Sequence, residues 1–163
     1  MNTLIYIVSM GIGATAVMDV WGIVRQPLFG IPPPNYRMVG RWIAHMSHAQ
    51  FFHKSMTAAP PIRGEHVLGW LAHYLTGIAF AAILIAIWGS TWINNPAIGP
   101  ALAVGIGTVA APFLLMQPGM GLGIAASRTK DPTSARLQSL ITHAVFGLGL
   151  YVSGRALLLF NSI

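Results

Sequence analysis

Residues 66 to 127 contain no Asp, Glu, Lys or Arg. A soluble core has no element that long. A membrane-crossing helix needs about 20 apolar residues, so the stretch fits two spans joined by a short loop. Further apolar runs flank it. The pattern predicts an all-α polytopic membrane protein with four transmembrane helices in a bundle, at about residues 3–24, 67–88, 98–117 and 137–160. All 163 residues then form a single transmembrane domain. Only 7% of the residues are charged, against about 25% in soluble proteins.

The nine basic residues outnumber three acidic ones. They fall mainly in two places: Arg25, Arg37, Arg41, Lys54 and Arg63, then Arg128, Lys130 and Arg136. Cationic loops stay on the cytoplasmic side during insertion. Loops 25–66 and 118–136 are therefore expected in the cytoplasm, with both termini periplasmic. This distribution explains the charge without nucleic acid, which is not expected as a partner. Cys is absent, which excludes disulfides, thiolate ligands and cysteine nucleophiles. No basic residue precedes the first apolar run, so that run reads as a retained span rather than a cleaved signal. Trp88 and Trp92 suit the outer interface, where amphipathic rings collect.

The first loop is too long for a plain turn. Pro32-Pro33-Pro34 excludes helix there. Beyond it, Val39, Trp42, Ile43 and Met46 recur at helical spacing, with Arg37, Arg41 and His48 between them. This predicts a short amphipathic helix, lying on the membrane surface or packed on the bundle. Small residues at four-residue spacing mark helix contacts: Ser9 and Gly13, Ala103, Gly107 and Ala111, Gly149 and Ser153. Pro112 and Pro118 should kink or end the third span.

The two halves are faintly alike. Gln26-Pro27 and Gln117-Pro118 end the first and third spans, and His73 and His143 each precede a glycine by four residues. Two pseudo-repeated helical hairpins would follow, related by an axis along the membrane normal.

A helix rises about 1.5 Å per residue, which puts Asp19, His73 and His143 about 9 to 10 Å inside the cytoplasmic boundary. Gln117 closes the same end of the third span. On the second helix Glu65, Gly69, His73, Thr76 and Gly77 share one face, expected to point inward. Asp19 is the only acid within a span, and an intramembrane ionisable group is a functional candidate by default. Asp19, His73, Gln117, His143 and Glu65 are thus candidates for ion binding or a proton relay. The bland alternative ties the helices together through structural hydrogen bonds.

Three chemistries fit such a layer. A carboxylate and imidazoles can relay a proton and couple it to transport of a small solute or ion. His73, His143 and Asp19 could ligate a transition metal. The two histidines could also ligate a haem, though no spacing is a specific signature and neither cofactor is favoured. A structural or accessory subunit of a membrane complex is a further alternative. Arg63 and Glu65 could pair at the surface, but simple solvation of each is preferred. Residues 119–123 form a glycine-rich loop that follows a helix rather than a strand, which argues against nucleotide binding. No Ser/His/Asp set shares a depth, so the reading leans away from an enzyme. The basic loops could hold anionic lipid headgroups. A thin apolar bundle also suits a homo-oligomer.

The segments GIGATAVMDVW, RGEHVLGWLAHYLTGIAFA, APFLLMQPGMGLGIAASRTKDP and LITHAVFGLGLY together resemble a bacterial integral-membrane family, domain-of-unknown-function family 2938. The resemblance covers nearly the whole chain. It implies a small four-helix protein of the inner membrane and carries over no site residues.

Overall fold

The computed structural model describes residues 2–161. Among these, all regular elements are helical. In order they are α1 (Thr3–Phe29), α2 (Tyr36–Met46), α3 (Glu65–Asn94), α4 (Ile98–Gly107), a π turn (Pro112–Met116), α5 (Gln117–Gly119), a single 3-10 turn (Ile124–Ala126) and α6 (Pro132–Asn161). Four stretches are long and apolar enough to cross a membrane: Thr3–Phe29, Glu65–Asn94, Ile98–Gly119 and Pro132–Phe160.

Local chemistry sets the ends. The Asn2 side chain accepts the Leu4 N–H at 2.9 Å, supplying a partner for a helix-start donor that would otherwise have none. α1 continues past Val24 and through Pro27, then stops at Gly30, whose φ of 69° is left-handed and whose N–H reaches the Gln26 carbonyl. Ahead of Pro112 the third span leaves regular helix and resumes as the π turn. A proline N cannot continue the ladder, and π turns absorb such interruptions.

The chain forms two compact units. The first holds α1 with residues up to 33, residues 74–108, and α6 from residue 141. Its core contains Tyr6, Met10, Ala14, Leu84, Phe146 and Leu150. Many other long apolar side chains point outward: Ile23 is 67% exposed and Leu75 56%. In water such a surface would drive association; in lipid it is the matching solvent. Lipid tails are as apolar as leucine, so helices associate through close packing rather than apolar burial.

That packing is backbone to backbone. A Cβ on Gly11 would fall 2.5 Å from the Ile78 Cα, so α1 and α3 touch there. A Cβ on Gly105 would collide with the backbone of Gly147, joining α4 to α6. Gly149 meets Ala14, and Gly13 meets Ser153, joining α1 to α6. The expected contacts of Gly13, Gly149 and Ser153 are therefore present. The expected stripe on the third span is not: Ala103 and Gly107 are exposed, and Ala101, Val104 and Gly105 are buried in their place. Four-residue spacing of small residues defines two faces of this helix, and the partner selects between them.

Trp92 also departs from expectation. It is 2% exposed, with its ring against Gly154 and its Nε1–H donated to the Ala97 carbonyl at 3.0 Å. Gly89, at φ 63°, breaks α3 just before it, so the last turns need not continue the helix axis. The indole serves as core, with its donor satisfied by the following turn.

The second unit holds residues 34–73 and 109–140. α2 crosses the start of α3 where Gly40 faces Gly69. A Cβ on Gly40 would strike the Glu65 carbonyl, and one on Gly69 the Tyr36 carbonyl. The Trp42 indole lies on Gly119 and donates to the Phe51 carbonyl at 2.9 Å. The helix expected around Val39 to Met46 is thus present and fastened by packing.

Gly11→Ala should destabilise the detergent-solubilised protein by about 1–3 kcal/mol, the usual cost of overpacking. Gly107→Ala, where a Cβ meets nothing within 4 Å, should leave the denaturation midpoint unchanged or raise it. Paired unfolding curves check this.

Candidate functional site

In the first unit Asp19 sits on α1 facing α3. The Tyr74 hydroxyl donates to Asp19 Oδ2 at 2.9 Å. The same seam carries Gly11 against Ile78 and the Thr15 hydroxyl against Gly77. The Thr15 hydroxyl donates to the Gly11 carbonyl at 2.7 Å, so it brings no unmet donor into the contact. Asp19 is half-buried, a carboxylate on an apolar helix held at a glycine-lined crossing.

His143 lies on α6, facing the C-terminal end of α4. Its Nδ1 is 3.0 Å from Thr108 Oγ1. The Thr108 hydroxyl donates its one proton to the Gly105 carbonyl at 2.6 Å. It can therefore only accept from the imidazole, which fixes the hydrogen on Nδ1 and makes Nε2 the basic nitrogen of the neutral ring. Beside it on α6, the Thr142 hydroxyl accepts from Arg25 at 3.2 Å, while the second guanidinium nitrogen donates to the Pro32 carbonyl at 2.8 Å. Arg25 is buried, a membrane-helix cation tied to the polyproline segment.

Glu65, His73 and Gln117 belong to the second unit. Glu65 is only 3% exposed, although a solvated carboxylate was expected there. Arg41 grips it from both sides, Nε to Oε2 at 2.7 Å and Nη2 to Oε1 at 3.0 Å. The Ile62 N–H adds a bond at 3.0 Å, and the Arg37 Nε lies 3.4 Å away. Arg63 is not the partner in this set. The carboxylate bond holds the Arg41 guanidinium above its ordinary pKa, so the pair stays charged. A bidentate fork locks the loop helix α2 onto the start of α3. The missed signal was Arg41 itself, on the helical face between the apolar positions.

His73 stacks on the Tyr36 ring at 4.1 Å, with Trp70 edge-on at 5.9 Å. Gln117 is buried and its Oε1 has no hydrogen-bond partner among the described residues. Thr76, expected on the inward stripe of α3, is exposed. The reading from sequence overlooked His53, whose two ring nitrogens are buried without partners and whose ring lies edge-on to His45 at 5.0 Å. Among the described residues no three His, Asp or Glu side chains gather as a metal site requires.

Four apolar helices of membrane-crossing length, with polar side chains set into their contacts, define a multi-pass helical membrane protein. The chain belongs to the family described as a protein of unknown function, DUF2938, whose profile matches residues 8–157. The match reaches from α1 to α6 and so takes in all four apolar helices. No curated protein and no solved structure matches the chain.

Arg41→Ala should lower the melting temperature clearly, because it leaves a buried carboxylate without its main partner. Arg37→Ala should change it little, since that side chain is 63% exposed and exposed pairs contribute little. Nitrogen NMR of labelled protein should show the His143 hydrogen on Nδ1, and Thr108→Val should remove that tautomer preference.

Proposed function

We propose that this protein binds or passes a small solute or ion inside the membrane, with proton exchange at Asp19. The observation that carries the reading is the bond from the Tyr74 hydroxyl to the Asp19 carboxylate within an apolar helix contact. An ionised carboxylate in a span costs roughly 2.5–3.5 kcal/mol on insertion scales. A proton or cation relieves that cost, so occupancy of Asp19 is coupled to how the surrounding helices solvate it. Tyr74 serves as a donor when Asp19 is charged and can turn to accept when Asp19 is protonated. His143, held against Thr108 through Nδ1, supplies a second group able to exchange a proton. His73, Gln117 and Glu65, which belong to the second unit, remain separate proposed candidates for ion binding or proton relay. The bacterial inner membrane, with the basic loops cytoplasmic and both termini periplasmic, is the proposed setting; the lysine and arginine distribution supports it.

Proteoliposomes containing a pH-sensitive dye test this under an imposed membrane potential. Wild-type protein should take up protons several-fold faster than protein-free vesicles, and Asp19→Asn should fall to the protein-free rate. Tyr74→Phe should slow uptake about two- to tenfold, the loss of one hydrogen bond of ~0.5–1.5 kcal/mol. A wild-type rate equal to that of empty vesicles, or an Asp19→Asn rate equal to wild type at matched protein, would overturn the proposal and favour a packing role.

A further inference from the structure

We infer that the second unit carries a binding site for a phosphate-bearing anion between Lys54 and Arg128. The inference stands apart from the proton reading, since it uses none of its residues. Between the first loop and the segment after α5 lies a cavity of about 360 Å³. That is at the small end of the roughly 300–1,000 Å³ typical of ligand pockets. Lys54 and Arg128 line it together with Ser55 and Thr57, and methionines from both segments form the apolar wall.

The cavity is built rather than incidental. The first loop is pinned to the second by the His53 N–H to the Gly119 carbonyl at 2.8 Å and the Met56 N–H to the Met120 carbonyl at 3.2 Å. These bonds bracket Lys54. Gly121, at φ 90°, lets the backbone pass under Lys54, where a Cβ would sit 2.5 Å from the Lys54 carbonyl. On the other side the Arg128 N–H bonds the Leu122 carbonyl at 2.8 Å, and the stem of Arg128 lies on Gly123. Ala125 and Ala126 both take left-handed backbone, at φ 47° and 59°. For residues with a Cβ that conformation is strained, and it turns the chain back so that Arg128 faces the cavity.

The charge balance points to an anion. The chain has three acidic residues. Asp19 lies in the other unit, Glu65 is held by Arg41, and Asp131 caps the Ser134 N–H at 3.0 Å. Among the described residues neither Lys54 nor Arg128 has a carboxylate partner. The Ser55 and Thr57 hydroxyls are 2.7 Å apart. That contact consumes one of their two protons, leaving the other hydroxyl able to donate to a ligand. One ammonium, one guanidinium and a hydroxyl donor make a set suited to phosphate oxygens. Beside the polar end, Met38, Met56, Met120 and Leu122 supply apolar surface. The ligand is either the headgroup of an anionic phospholipid or a free phosphate compound.

The test uses the whole protein in neutral detergent. Native mass spectrometry counts bound phosphatidylglycerol against phosphatidylcholine, and thermal melts are recorded with and without inorganic phosphate. Retained phosphatidylglycerol with no phosphate effect assigns the site to lipid; a phosphate-dependent rise in melting temperature assigns it to a soluble phosphate. In either case Lys54→Ala/Arg128→Ala should weaken binding at least tenfold. Arg63→Ala/Arg155→Ala, which removes the same charge elsewhere, should stay within twofold. Lys54→Arg/Arg128→Lys should keep binding, which guards against a folding defect in the alanine variant. No preference for the anionic lipid together with no phosphate effect, or equal weakening by the two alanine pairs, would overturn the inference.

Discussion

Helices surrounded by lipid are not pressed together by loss of apolar surface from water, so the first unit rests on contact between backbones at small residues. Gly11 against Ile78 and Gly105 against Gly147 are the points where a side chain cannot be added without moving a helix. Two polar pairs of that unit lie beside these contacts. Tyr74 reaches Asp19 because α1 and α3 are already in touch one to two turns away. His143 reaches Thr108 because Gly147 admits α4.

Polar groups without water must find partners in the protein. The structure meets this requirement in two ways. Within the apolar helices the partners are mostly neutral: a phenol for Asp19, a threonine for His143, a threonine and a carbonyl for Arg25. In the second unit the solution is ionic, with Glu65 taken from both sides by one guanidinium. Exceptions among the described residues include the Trp21 indole N–H, the Gln117 carbonyl oxygen and both His53 ring nitrogens, buried without hydrogen-bond partners.

Much of the fold was legible because the signals are compositional. A helix long enough to cross lipid must be apolar along its length, and charge exclusion shows that directly. The contact faces were harder. Gly13, Gly149 and Ser153 make the contacts their spacing predicts, whereas on the third span Ala101 and Gly105 are buried and Ala103 and Gly107 are exposed. In a helix rich in alanine and glycine, a small-residue stripe occurs on more than one face. Tryptophan favours headgroups, which predicts an interface anchor at Trp92, whereas a break at Gly89 and an acceptor at Ala97 bring it inside. Tyr74 and Thr108 could not be singled out, since a tyrosine or threonine in a span is ordinary until a carboxylate or imidazole faces it.

The sequence by itself determined that this is a helical, multi-pass membrane protein of one family, and which few side chains are chemically costly in lipid. Transfer free energies act residue by residue, so they can be read without a partner. The tertiary structure decided which groups those side chains bond. It paired Asp19 with Tyr74, His143 with Thr108 and Glu65 with Arg41, and it gathered Lys54 and Arg128 around one cavity. Such pairings depend on helix rotation and loop course, which arise from contacts between residues far apart in the chain.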